Sequence, residues 1–348
     1  MDNFEKILKD DFNFILSTHL PWTDLKNKKI LITGATGFIA SYLIRFLVAA
    51  NIKLHLNISI TGTVRNLNIA KIKFKSILES KFLDLRVINI LEPIKINSHY
   101  DFIIHMASIA TPKLFESNPI GVILPNTLGT INLLDFASTQ NIDRFVFFST
   151  TGVNGFVEDN LRPISEDVYG GLDPNKIENC YLESKRMGEN LCIAWNHQKN
   201  VPIQIVRPAI TYGPGVQLDD GRAYADFIKN IVNSENIMLH SKGDAIRNFC
   251  YVADFLTGLF YTIFHGNIGD TYNISSEKEY SILKLAEILT KDVFSEKSLS
   301  IEYDFKNNDF LRVNYTRTTV STKKLRLLGW EEKFSIQEGM KRTVESYL

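Results

Sequence analysis

Cysteine is scarce: only Cys180, Cys192 and Cys250 occur in 348 residues. Three thiols so scattered supply neither a disulfide framework nor the ligand cluster of a zinc site. Reduced thiols in a cytoplasmic protein are expected, and no metal. A charge of one sign is missing too, because 39 basic and 39 acidic residues cancel to a formal net charge of zero. That balance offers nothing to nucleic acid or to an anionic membrane. The nearest basic cluster, Lys323-Lys324-Leu325-Arg326, reads as a solvated helix face. No signal peptide is expected, because "MDNFEKILKDDFNF" is acidic from its second residue and lacks a basic n-region. The longest apolar stretch, near "IASYLIRFLVAANI", is short and carries Arg45, so no membrane span is expected. Internal repeats and low-complexity segments are absent.

What remains is the ordinary balance of a soluble globular protein, 45% apolar and 22% charged, in a chain long enough for two unequal lobes. The runs "KKILITGA", "LHLNISITGTV", "LRVINI", "DFIIHMAS", "RFVFFST" and "PIQIVRPA" are short and rich in Val, Ile and Phe. They are apolar on both faces, as a strand buried in a parallel sheet must be. Amphipathic segments such as "GFIASYLIRFLVAAN" and "NTLGTINLLDFASTQ" lie between them. Strands alternating with helices predict a doubly wound α/β domain. After Pro208 the rhythm loosens into turn signals and mixed structure, which predicts a smaller α/β lobe closing over the carboxyl edge of the sheet.

The first strand ends in "ILITGATGFIA", which places Gly34 and Gly37 between a strand and a helix. Glycines there permit a tight turn and let backbone N–H groups approach a pyrophosphate at the positive helix end. Gly34, Thr36, Gly37, Phe38 and Ile39 are the expected cofactor contacts, and the fold class becomes a Rossmann-type parallel sheet. Residues 1–25 then form an extension and 26–207 the dinucleotide-binding domain, with a return segment at about 246–265. Residues 208–245 and 266–348 form the smaller lobe. An acidic residue that binds the ribose hydroxyls of NAD is expected near the end of the second strand. None occurs between Gly37 and Glu79; the spot reads "TGTVRN". Arg65 would meet a 2′-phosphate there, which tilts the expectation from NAD toward NADP.

In "NCYLESKRMGEN" Tyr181 and Lys185 share one face of a helix. A free phenol, with a pKa of about 10, is a poor base at neutral pH. A neighbouring ammonium and a positive nicotinamide ring would favour the phenolate. Tyr181 would then take a proton from a sugar hydroxyl while hydride leaves the same carbon, and Lys185 would also hold the nicotinamide ribose. The strand "RFVFFSTTGVNG" adds hydroxyls at Ser149, Thr150 and Thr151 on the carboxyl edge, where α/β sheets bind ligands.

With "TGATGFIA", "IIHMAS", "NTLGTINLLDFA", "FVFFST", "YLESK", "VRPAITYGPG" and "RNFCYVAD" in this order, roughly residues 27–345 resemble the extended short-chain dehydrogenase/reductases. The resemblance is to the NAD(P)-dependent sugar-nucleotide epimerase/dehydratase family. It implies Tyr181 as acid/base, Lys185 as its partner and Thr150 as the substrate-positioning hydroxyl, with Thr151 beside the substrate. It implies Ala107 and Ser108 at the pyrophosphate, Asn89 and Ile90 near the adenine, and Asn126 supporting the active-site helix. Arg222 and Arg247 would clamp the diphosphate of a nucleoside-diphosphate sugar. Asn154 stands where the family's V-Y-G has tyrosine. "CYLESKRMGENLC", "GVQLDDGRAYADFI" and "EDVYGGLDP" look like UDP-glucuronate decarboxylases. Those enzymes carry an acid immediately before V-Y-G, and here Thr151 and Gly152 stand instead. Hydride transfer at C4 is therefore expected: C4 epimerisation, or C4 oxidation or reduction, with decarboxylation as the alternative. A non-catalytic NAD(P) sensor is a further alternative, at odds with the presence of both Tyr181 and Lys185. The family also implies a homodimer through a four-helix bundle built from "PIGVILPNTLGTINLLDFAS" and "NKIENCYLESKRMGENLCIAWNHQ". Asn/Lys/Ile/Phe-rich usage suggests an AT-rich bacterial genome and, by analogy, surface polysaccharide synthesis.

Overall fold

The computed structural model describes residues 2–305 and 317–348. Strands arise where the β-branched and aromatic runs lie: β1 (Lys29–Thr33), β2 (Ser59–Val64), β3 (Leu83–Val87), β4 (Phe102–His105), β5 (Arg144–Phe148) and β6 (Ile203–Pro208). Six more follow: β7 (Ile210–Tyr212), β8 (Ile237–Leu239), β9 (Ile246–Tyr251), β10 (Thr271–Ile274), β11 (Glu279–Ser281) and β12 (Ile301–Tyr303). The first helices are α1 (Asn3–Ser17), α2 (Phe38–Leu54), α3 (Leu67–Lys73), α4 (Lys113–Ser117), α5 (Pro119–Asn126) and α6 (Leu128–Ser138). The others are α7 (Cys180–Lys199), α8 (Ala223–Asn233), α9 (Val252–His265), α10 (Ile282–Glu287), α11 (Lys323–Arg326) and α12 (Ile336–Glu345).

Seven strands form one parallel sheet in the order β10-β6-β5-β4-β1-β2-β3. Alternation along each strand divides its side chains between two cores. Ile30, Ile32, Phe102, Ile104, Val146 and Phe148 join the layer of α2 and α9. Leu31, Ile103, Phe145 and Phe147 join the layer of α6 and α7. Apolar residues on both strand faces are thus accounted for by helices on both sides. The chain leaves β1 toward β2 and β3, then crosses to β4, so the strand order switches direction between β1 and β4. A crevice opens there at the carboxyl ends.

The smaller lobe holds a three-stranded sheet, β11-β9-β7, and the pair β12-β8. Its boundary differs from the expected one. The returning chain runs beyond 265, because β10 adds parallel to β6 as the edge of the large sheet. Residues 246–251, expected in the return, form β9 between β7 and β11 instead. Alternation alone does not say which of several short strands pair, so the sequence leaves this segment's sheet open. Within 1–25, helix α1 packs on α2, α9 and α12. Among the described residues, Pro119–Ser138 is the stretch long and apolar enough by composition to cross a bilayer, rather than the run around Arg45. It packs as α5 and α6 against α7, with Val122, Asn126, Leu133 and Leu134 buried.

Candidate active site

At the switch point the backbone is built to admit an anion. Gly34 has φ +67°, and a Cβ on it would stand 2.7 Å from the Ala107 Cα. Only glycine tolerates that conformation and that approach. The Gly37 N–H closes the turn on the Gly34 carbonyl at 2.9 Å, and Gly37 is the N-cap of α2, which leaves the helix's free N–H groups without a side-chain cap. A helix end left open in this way is an anion site.

Thr33 holds the adjoining loop. Its Oγ1 accepts from the N–H groups of Met106 (3.1 Å) and Ala107 (3.0 Å), so its own proton points to His105 Nδ1 at 2.8 Å. His105 Nε2 then donates to the Pro125 carbonyl at 3.2 Å, which fixes the neutral tautomer. Burial, with a smaller push from Lys185, holds the His105 pKa down at about 3. Beyond this hub the Ser108 hydroxyl is buried without a partner, as is that of Ser149. Open helix N–H groups, a glycine cradle and orphaned hydroxyls fit a dinucleotide laid across the β1/β4 crevice.

The crevice continues into a cavity of about 1320 Å³ between the lobes. Gly37, Phe38, Ile39, Ser108, Thr150, Tyr181, Lys185, Arg222 and Arg247 all line it. Gly34, Thr36 and Ala107 shape the turn and loop behind that surface, and Thr151 opens a short turn at its edge. Asn126 is buried in α5 and donates to the Ser184 hydroxyl at 2.9 Å, bracing α7 next to Lys185. Arg65 is exposed at the end of β2. Asn89 lies beyond β3 and spends its side chain locally on Glu92 and the Leu91 N–H, with Ile90 packed in the core beside it. Neither Arg65 nor Asn89 reaches the cavity wall.

Helix α7 carries the reactive pair. Gly188 lets it approach the sheet, since a Cβ there would lie 2.4 Å from the Phe147 ring and 2.8 Å from the Asn126 carbonyl. Lys185 is 2% exposed; its Nζ donates to the Phe148 carbonyl at 2.5 Å and sits 6.0 Å from the Tyr181 ring centre. Burial lowers the Lys185 pKa to about 7. Burial raises the Tyr181 phenol to about 12, against the pull of Arg222 and of a hydrogen bond with Thr150. The guanidinium of Arg222 and the Thr150 hydroxyl thus favour the phenolate, beside the Lys185 ammonium expected to do so. Arg222 pairs with Asp220 at 3.1 Å and donates to the Ala110 carbonyl at 3.2 Å. The Tyr181 ring stacks on Phe115 at 5.1 Å and 11°.

Several residues here gain their role only from tertiary contact. Arg207 is fully buried and grips Glu189 with two bonds of 2.8 and 2.7 Å. It also donates to Asn154 Oδ1 (3.2 Å), the Glu166 carbonyl (2.9 Å) and the Tyr169 hydroxyl (2.9 Å). A buried guanidinium is tolerable only when its donors are used in this way. Asn154 therefore turns inward to Arg207 and is not an edge of the sugar pocket. Phe115 and Thr33 also went unnoticed. The threonine before the first glycine was legible as a strand-end hydroxyl, but its partners come from a distant loop.

The parallel sheet, the glycine cradle and the Thr150–Tyr181–Lys185 constellation define a dinucleotide-dependent enzyme of the Rossmann class. Residues 30–275 match the NAD dependent epimerase/dehydratase family, and the chain belongs to it as a sugar-nucleotide epimerase/dehydratase-type enzyme. It is 32% identical over 324 residues to UDP-glucuronic acid decarboxylase 3 of Arabidopsis thaliana, covering 92% of this chain and 89% of the relative. Among solved structures it resembles UDP-glucuronic acid 4-epimerase from Bacillus cereus in complex with UDP-glucuronic acid and NAD (TM-score 0.76, 22% identity, 92% of this chain and 98% of that one). It also resembles RMD from Pseudomonas aeruginosa complexed with NADPH (TM-score 0.72, 23% identity, 92% and 98% covered). The curated relatives favour the decarboxylase alternative over C4 epimerisation or reduction.

Proposed function

We propose that the protein oxidises C4 of a nucleoside-diphosphate hexuronate, UDP-glucuronate by preference, and releases the carboxyl group as carbon dioxide. The observation that carries the first step is the placing of the Tyr181 phenol on the cleft wall together with Thr150, Lys185 and Arg222. When bound, the nicotinamide supplies the hydride acceptor and donor. Thr150 holds the C4 oxygen, and Tyr181 takes the hydroxyl proton as the ketone forms. The carboxylate is then β to that ketone. Its C5–C6 electron pair moves toward C4, carbon dioxide leaves, and Tyr181 returns its proton to the C4 oxygen. Solvent supplies the proton that replaces the carboxyl group at C5. The final reduction gives the pentose product and restores the starting cofactor. Decarboxylation of such a β-keto acid has its own electron sink, so an acid at Gly152 is not indispensable. The curated relatives support this outcome.

A second reading, C4 epimerisation or reduction of a 4-keto sugar nucleotide, is favoured by one observation. Gly152 stands where the decarboxylases carry an acid, and the Leu182 side chain lies 2.6 Å from a Cβ built there. Arg247, on the cavity wall, is proposed as a diphosphate clamp, with Arg222 shared between the diphosphate and the phenol. Arg65, exposed at the end of β2 and away from the cavity wall, would serve NADP only by turning toward a 2′-phosphate, and NAD is proposed beside it. Ile120, Met187 and Ile193 are exposed on α5 and α7, and a second copy of the chain is proposed to cover them through a four-helix interface. Three free cysteines suit a reducing compartment, and surface polysaccharide synthesis is the proposed role. Incubation with UDP-glucuronate and a panel of nucleotide sugars, with and without NAD or NADP, followed by mass analysis, tests the reading. Loss of carbon dioxide is expected. An unchanged mass with a new retention time identifies the epimerase, and a change of two hydrogens the oxidoreductase. Coenzyme binding without turnover of any sugar would leave a sensor.

A further inference from the structure

Helix α1 and the carboxyl-terminal helix α12 both lie outside the residues matched to the family. They meet at one carboxylate. Asp11 is wholly buried, and its Oδ2 accepts from the hydroxyls of Tyr42 (2.8 Å) and Tyr251 (2.7 Å). Its Oδ1 accepts from Arg342 Nε (3.0 Å) and its terminal nitrogen (2.7 Å). These partners sit on elements that frame the cleft from two sides. Tyr42 is on α2, whose first turn lines the dinucleotide half. Tyr251 ends β9, whose alternate residues Arg247 and Phe249 line the nucleotide-sugar half. The same termini hold the turn that follows β7. The Phe4 ring lies 3.6 Å from a Cβ built on Gly215, and the Tyr347 hydroxyl donates to the carbonyl of Val216, itself on the cavity wall.

We infer that Asp11 is a positioning residue: it fixes β9 and the 213–217 turn against α2, and so sets affinity for the nucleotide sugar while leaving the dinucleotide site intact. An apolar helix would pack on α2 equally well. A charge satisfied by four bonds from three separate elements adds registration that packing lacks, because each bond is directional. Only the choice of ligand rests on the function proposed above.

The experiment compares full-length wild type with Asp11→Asn, Arg342→Gln and Tyr251→Phe by amide exchange, NAD titration and UDP-glucuronate kinetics. In the variants, exchange across 213–217 and 246–251 should rise about tenfold while 29–39 keeps its protection. KM for UDP-glucuronate should rise about fivefold to tenfold with kcat and NAD affinity little changed, a split that general destabilisation would not give. Should Asp11→Asn fail to fold, Tyr251→Phe, which keeps the ring, decides. Unchanged exchange in both substrate-side segments, or parallel loss of protection throughout, overturns the inference. If the wild type does not turn over UDP-glucuronate, the proposed reaction fails, and the exchange pattern still decides the role of Asp11.

Discussion

Replacing Thr33 with valine keeps the shape of a fully buried side chain and removes one oxygen. That oxygen serves three groups: the N–H of Met106, the N–H of Ala107 and the imidazole of His105. A buried donor left without a partner costs about 1–3 kcal/mol. Two orphaned N–H groups, partly offset by the more apolar side chain, give about 3 kcal/mol lost from a total stability of ~5–15 kcal/mol. Because Ala107 faces the Gly34 turn, the loss should also weaken dinucleotide binding. Urea unfolding followed by circular dichroism measures the first effect and NAD titration the second. A Thr33→Val protein within about 0.5 kcal/mol of wild type, a change typical of inconsequential surface sites, with unaltered NAD affinity, would refute the reasoning: the hydroxyl would then not hold the loop.

Tyr181→Phe should lower kcat by roughly 10²–10⁴-fold, the usual worth of a positioned acid/base, while NAD titration shows affinity unchanged; near-normal turnover would remove Tyr181 from proton transfer. His105 makes stability depend on pH. Its folded pKa of about 3 lies below the unfolded value of 6.5, so the unfolded chain takes up the proton first. The contribution is complete above pH 6.5 and declines as pH falls toward 3, reaching a loss of about 2 kcal/mol by pH 5. Denaturant midpoints at pH 7 and pH 5 check the slope, and His105→Gln should flatten it.

Local chemistry made much of this molecule legible. Alternating strands needed two helical layers, glycine was required where φ is positive and Ala107 approaches, and Tyr181 and Lys185 share a face at helical spacing. Asn126 could be placed under α7 from the resemblance, and its bond to Ser184 follows that expectation. What escaped depends on tertiary contact. The partners of Asp11 lie 31, 240 and 331 residues away, and no periodicity connects them. Arg207 reads in sequence as one more charged residue, yet burial turns it into the tie between Glu189 and Asn154. The pull of Arg222 and Thr150 on the Tyr181 phenol escaped for the same reason: both come from elements distant in sequence from α7.

The edge position of β10 bears on biogenesis. A ribosome that has finished the helices and strands up to Pro208 has made only six of the seven large-sheet strands, and β6 still offers an unpaired flank. The intervening small lobe must be synthesised, and its ends brought together, before Ile274 can dock and close that flank. Severing the chain after Pro208 would therefore not yield a self-sufficient dinucleotide-binding unit; it would yield a sticky intermediate, prone to associate through the bare side of β6.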